Sequence, residues 1–287
     1  MARAWPRAAQ HKSIAFFNRA LIINLDFYFS CTSLVRFYMS LALKISNVSK
    51  SFEIKKRFSK KKTTKVVLNK CSIDVKEGSI FGLVGLNGIG KTTLIKIMFD
   101  MLTPDGGKVE FFGIDHNNAE ARKNVCYLPE KFSPSQYLTG YEFLSISLSF
   151  FGKSLDEKEA QRIAKSIDLD PNVLQNVIGK YSKGMGQKLG IISCLLSGAK
   201  LLVLDEPMSG LDPKSRIKLK EALKEYASKG NSIFFSSHIL EDIGEICDDM
   251  AVLHGGHVKF NGSPKEFREK FKADTAEKAF LNCIDEK

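Results

Sequence analysis

Cysteine is sparse in this chain and follows no pattern. The six cysteines, Cys31, Cys71, Cys126, Cys194, Cys247 and Cys283, are scattered, and no two form a Cys-x-x-Cys pair. That spacing argues against a zinc site or a disulfide framework and for a reducing compartment. Long apolar runs are also missing. None reaches the roughly 18–20 residues a membrane-spanning helix needs, so a membrane role would require a partner. There is no internal repeat, no long low-complexity linker and no heptad run. What remains is an ordinary globular composition, 44% apolar and 26% charged, over 287 residues. That length fits one large domain or two small ones.

Positive charge is in excess, with a net +11. Such a balance invites a nucleic-acid reading, but its distribution weakens it. Most of the excess sits in two segments. One is the run Lys55, Lys56, Arg57, Lys60, Lys61, Lys62 and Lys65. The other is the N-terminal stretch with Arg3, Arg7, Lys12, Arg19 and Arg36. The lysine run reads as a solvated loop, with contact to acidic headgroups as the alternative. Within residues 1–38, the apolar stretch Leu21 to Cys31 is broken by Asn24 and Asp26. Three readings stay open for this extension: translation starting at Met39, a membrane-surface segment, or a targeting peptide. His254-Gly255-Gly256-His257 has the look of a metal pair, but two glycines between valine-containing segments favour a hairpin turn.

The chemistry begins at Gly85-Leu86-Asn87-Gly88-Ile89-Gly90-Lys91-Thr92, which fits the phosphate-loop pattern of Gly, four residues, then Gly-Lys-Thr/Ser. Ser79 to Val84 reads as a buried strand before it, and Thr93 to Phe99 as a helix after it. Gly85, Gly88 and Gly90 let the backbone curl round a phosphate with its N–H groups inward. The helix N-terminus adds partial positive charge there. Lys91 should reach the β- and γ-phosphates, and Thr92 should ligate Mg2+.

Past residue 40 the pattern is α/β. Strands are expected at Leu41–Ser46, Val66–Val75, Ser79–Val84, Lys108–Phe112, Val125–Leu128, Leu201–Leu204, Ser232–Ser236 and Met250–Leu253. Helices are expected at Tyr141–Phe151, Asp156–Ile167, Ser182–Leu196, Pro213–Ser228 and Ile239–Cys247. Short, continuously apolar strands alternating with helices imply a parallel sheet covered on both faces. The helical block at about 134–182 reads as an insertion. Leu201 to Leu204 then ends in Asp205-Glu206, at the carboxyl edge where open α/β sheets bind ligands. Asp205 suits Mg2+ coordination, and Glu206 suits polarising an attacking water.

Tyr181-Ser182-Lys183-Gly184-Met185-Gly186-Gln187-Lys188 resembles the signature motif of ATP-binding-cassette (ABC) ATPases. Ser209-Gly210-Leu211-Asp212 resembles that family's D-loop, His238 its switch histidine, and Tyr127-Leu128-Pro129-Glu130 its Q-loop. Phe52 resembles the aromatic that stacks on adenine. Together these motifs span about Leu41 to Phe280. The resemblance implies a P-loop NTPase of the ABC type over residues 39–287. Its core would be a mainly parallel sheet, with an antiparallel β subdomain and an inserted helical subdomain. It implies ATP and Mg2+ as ligands. Nucleotide would be held by Phe52 and by Gly85, Leu86, Asn87, Gly88, Ile89, Gly90, Lys91, Thr92 and Thr93. Thr92, Asp205 and Glu130 would hold the metal, and Lys91, Glu206 and His238 would be catalytic. Ser182, Lys183, Gly184 and Met185 would meet the ATP of a second subunit, homodimeric or heterodimeric. Asp212 and Glu130 would couple the two sites.

Some positions depart from the family pattern. Lys183 replaces the signature's first glycine, Met185 stands where glutamine is usual, and Glu130 replaces the Q-loop glutamine. This combination resembles bacterial type-2 export ATPases, which work with a separate transmembrane permease subunit at the cytoplasmic face of the membrane. Phe132, Tyr137, Leu138, Tyr141 and Phe143 are candidates for docking that subunit, or for packing the helical block internally. The competing expectation is a soluble ABC ATPase acting on ribosomes or nucleic acid, which only the net charge favours.

Overall fold

The computed structural model describes residues 40–55 and 62–286. The N-terminal extension with its three readings, and the centre of the lysine run at 56–61, lie outside the described residues. The chain opens on a long hairpin of β1 (Leu41–Lys55) and β2 (Lys62–Lys76). Both strands run further than their apolar pattern suggested. The ladder continues through Phe52↔Lys65 and Glu53↔Thr64 to Lys55↔Lys62. Part of the lysine run is therefore strand rather than loop. Ladder hydrogen bonds use only backbone groups, so polar residues can extend a strand beyond the apolar segment that identifies it.

Next come β3 (Ile80–Val84) and α1 (Lys91–Met98), then β4 (Gly106–Phe111), β5 (Ile114–Asp115), the short α2 (Ala119–Arg122) and β6 (Val125–Leu128). The helical block holds α3 (Gly140–Ser149) and α4 (Glu157–Ser166) and leads into α5 (Lys183–Ser197). Each of these three helices starts at a side-chain cap: Thr139 with Glu142 as a capping box, Asp156, and Ser182. Then follow β7 (Leu201–Asp205), α6 (Pro213–Ser228), β8 (Ser232–Ser237), α7 (Leu240–Ile246), β9 (Asp249–His254) and β10 (His257–Gly262). The turn between β9 and β10 is the Gly255-Gly256 hairpin expected from sequence.

Two further helices, α8 (Pro264–Lys270) and α9 (Ala276–Asp285), close the chain. The sequence reading named neither. The Ser263-Pro264-x-Glu266 capping box was the available signal for the first.

The strands form two sheets. An antiparallel one runs β2-β1-β4-β5, and a mainly parallel one runs β10-β9-β3-β8-β7-β6 with only β10 reversed. Alternate residues of the parallel strands feed two separate cores. Phe81, Leu83, Val203, Phe234, Ala251 and Leu253 face the antiparallel sheet and α1. Ile80, Val84, Leu202, Leu204, Ile233, Phe235, Met250 and Val252 face the core that includes Leu144, Ala164 and Leu189 of the helical block. This is why the strands read as unbroken apolar runs: both faces are covered, and successive side chains point to opposite ones. Phe81 and Phe234, on neighbouring strands, stack at 5.9 Å.

Candidate active site

The site lies at the carboxyl edge of the parallel sheet, between β3 and α1. Gly85 must be glycine because a Cβ there would lie 2.7 Å from the Leu253 carbonyl oxygen. Gly90 caps α1 at φ 122°, a conformation that favours glycine, and supplies no side-chain cap. The N-terminal N–H groups of α1 therefore remain free of side-chain capping and available to an anion. A cleft of about 400 Å³ opens over them. Its walls are Leu86, Asn87, Gly88, Gly90, Lys91, Thr92, Thr93, Glu130, Lys131 and Glu206.

Two carboxylates stand at the end of β7, and the second, Glu206, lines this cleft. Asp205, the last residue of β7, is fully buried. Its Oδ1 accepts a hydrogen bond from the Ser236 hydroxyl at 2.6 Å, and its Oδ2 has no hydrogen-bond partner. Glu206 follows with φ 50°, in the left-handed region. Its Oε1 lies 3.1 Å from the Lys91 ammonium, and its Oε2 accepts from His238 Nδ1 at 2.8 Å. Lys91 also donates to the Gly85 carbonyl at 2.6 Å. Lys91, Glu206 and His238 thus form one connected chain. Burial, followed by the charges of Asp205 and Glu130, pushes the Tyr127 hydroxyl up to about 12. The unpartnered buried oxygen of Asp205 suits a hard cation.

Of the remaining expected residues, Ser182, Lys183, Gly184, Met185, Asp212 and Phe52 do not line the cleft. Ser182 caps α5, accepting from the Met185 N–H at 3.2 Å. Gly184 packs against the loop after Glu206, where a Cβ would lie 3.3 Å from the Gly210 carbonyl oxygen. Gln187 donates to the Pro207 carbonyl at 3.3 Å, so the start of α5 is tied to that same loop. Lys183 runs alongside Gly210. Asp212 caps α6 through the Ser215 N–H and hydroxyl, and those bonds hold its carboxyl below the usual range. Phe52 is half exposed on β1, with the Lys50 ammonium 5.6 Å from its ring centre. Asp105 anchors both Lys50 (2.9 Å) and Ser51 (2.6 Å), which fixes the strand at that point.

Sequence reasoning missed Ser236. Its role depends on β7 and β8 lying side by side with Asp205 opposite Ser236, which no local pattern reveals. Of the five docking candidates, Phe132, Leu138, Tyr141 and Phe143 pack against the core; only Tyr137 is freely exposed. Phe150, which the pattern placed inside a helix, lies just past the end of α3 and is 83% exposed.

Loop, carboxylates and sheet position define a P-loop nucleotide-binding protein. The ABC transporter family profile matches residues 68–209. An uncharacterized ABC transporter ATP-binding protein of Nostoc sp. is 38% identical over 205 residues, 70% of this chain and 61% of that one. The Nod factor export ATP-binding protein I of Rhizobium sp. is 30% identical over 236 residues, 80% of this chain and 73% of that one. A solved ATP-binding subunit of an ABC transporter superposes with a TM-score of 0.72 at 28% identity, over 84% of this chain and 99% of that one. The chain belongs to the ABC transporter family and is one of its ATP-binding cassettes. It spans 61%, 57% and 65% of the length of three of the curated relatives it matches. Among the described residues no helix is long and apolar enough to cross a membrane.

Proposed function

We propose that the chain is the ATP-binding and ATP-hydrolysing subunit of an ABC exporter, working with a separate transmembrane permease subunit. The observation that carries this reading is Glu206, held between Lys91 and His238 at the mouth of the phosphate-loop cleft. A carboxylate placed there can orient a water and take its proton, while Lys91 and the α1 N-terminus offset the charge on the phosphates. Phe52 offers a ring face to the adenine. Thr92, Asp205 and Glu130 would hold Mg2+, which would supply positive charge to offset that of the phosphates. Ser182, Lys183, Gly184 and Met185 open α5 as a second phosphate-facing helix end, serving the ATP of a second subunit, with Asp212 and Glu130 coupling the two sites. The permease contact falls on the helical block, where Tyr137 and Phe150 are 93% and 83% exposed. That contact would hold the chain at the cytoplasmic face of the membrane. Export is supported by the Rhizobium relative, whose name assigns it Nod factor export.

Glu206→Gln, tagged at the C-terminus and purified from mildly solubilised membranes with ATP present, tests the reading. The expected result is stoichiometric recovery of a polytopic membrane protein, with ATP-dependent transport lost in Lys91→Ala. Recovery in the soluble fraction with ribosomes or nucleic acid would overturn it.

A further inference from the structure

We propose that Ser236 is a positioning residue for the reaction: it selects which oxygen of Asp205 is presented to the metal and holds the strained backbone of Glu206. The inference rests on the nucleotide-hydrolysing reading above and adds a residue to it.

The geometry is specific. Ser236 is fully buried on β8, directly opposite Asp205 in the parallel register. A hydroxyl has one proton to give and lone pairs to accept with. Ser236 uses both functions on consecutive residues of β7 and the turn after it. It donates to Asp205 Oδ1 at 2.6 Å and accepts from the Glu206 backbone N–H at 2.9 Å. The first bond saturates Oδ1 and leaves Oδ2 as the buried oxygen without a partner. A carboxylate free to rotate about its terminal bond would present either oxygen; this one cannot exchange them without breaking the bond to Ser236. The second bond acts on Glu206, whose φ of 50° is one that non-glycine residues adopt only when the surroundings impose it. That conformation directs the Glu206 side chain to Lys91 and His238. One hydroxyl therefore sets the aim of both carboxylates. Alanine at 236 would free Oδ1 and leave the Glu206 N–H buried and unpaired.

The test compares the full-length chain with Ser236→Ala, and with Ser236→Cys as a near-isosteric second variant. Nucleotide affinity is measured by fluorescence titration with ATP in EDTA and across a Mg2+ series, and kcat and KM are measured for ATP hydrolysis. The expected result for Ser236→Ala is ATP affinity in EDTA within twofold of the parent. Its Mg2+ half-saturation for tightening nucleotide binding rises about tenfold, and its kcat falls at least tenfold with a smaller change in KM. Ser236→Cys, which keeps a weak donor, falls between the two. Parental Mg2+ dependence and kcat in the alanine variant overturn the proposal. So does an equal loss of affinity with and without Mg2+, which would mark Ser236 as merely structural. A parent chain that binds and hydrolyses no ATP would instead overturn the function on which the proposal stands.

Discussion

The contact between Lys91 and Glu206 makes a quantitative prediction that needs no nucleotide. The two charges lie 3.1 Å apart, and their side chains are only 6% and 9% exposed. At an effective dielectric constant of about 20, the attraction is roughly 5 kcal/mol, offset by several kcal/mol of desolvation. Removing one partner strands the other, so each single variant should suffer more than the net worth of the pair. Lys91→Met preserves volume but removes the cation beside Glu206. It should lower unfolding stability by about 3 kcal/mol. Glu206→Gln leaves Lys91 with the Gly85 carbonyl and should cost about 2 kcal/mol. The double variant removes both charges and should be no less stable than Lys91→Met alone. The coupling energy is then about 2 kcal/mol. Urea unfolding of the four proteins, without nucleotide and at low ionic strength, measures it. Additive effects, with coupling below about 0.5 kcal/mol, would refute the claim that this ion pair shapes the site.

Three other outcomes follow from the geometry. Gly85→Ala forces a methyl group against the Leu253 carbonyl oxygen at 2.7 Å. ATP affinity by equilibrium titration should fall roughly 10–100-fold, the usual consequence of misplacing a binding loop by a fraction of an ångström. Lys50, followed by Ser51, holds the Asp105 carboxyl at about 2, below its ordinary 3.8. A depressed carboxylate contributes fully above its unfolded value and loses that contribution as pH falls through its folded one. Asp105→Asn should therefore flatten the acid-unfolding curve between pH 4 and pH 2 and leave the curve near neutrality the same shape. Tyr137→Ser combined with Phe150→Ser changes only exposed side chains, so stability should move by less than about 0.5 kcal/mol. ATP hydrolysis by the isolated chain should stay at the parental level while transport in cells falls. Transport at the parental level would place the permease contact elsewhere.

The phosphate loop was legible because its chemistry is local: glycines, a lysine and a hydroxyl within eight consecutive residues make the site. The strands of the parallel sheet were legible because burial on both faces leaves unbroken apolar runs such as Leu201–Leu204. The far ends of β1 and β2 were not, since Lys55, Lys62 and Lys65 join a ladder held by backbone groups alone. The docking candidates show the opposite limit. Phe132, in the loop before α3, and Phe143, on it, pack edge to face at 5.4 Å, and apolar composition cannot separate a core aromatic from an exposed one. Ser236 stayed hidden for a topological reason. Its partners are about thirty residues away, and only the β7–β8 pairing brings them together.

The parallel sheet carries one more consequence. Its central strands are apolar on both faces, so hydrophobic pattern by itself says little about how far one strand should slide along the next. The information that fixes the alignment must come from the few polar residues at the strand ends. The bond between Asp205 and Ser236 is one such mark, and the bond from the Ile80 N–H to the Asp248 carboxylate is another at the opposite edge. These residues act as an index for assembly: strands that pair out of step leave a buried carboxylate or amide without its partner. Drift at these positions is therefore restrained during folding as well as during the reaction.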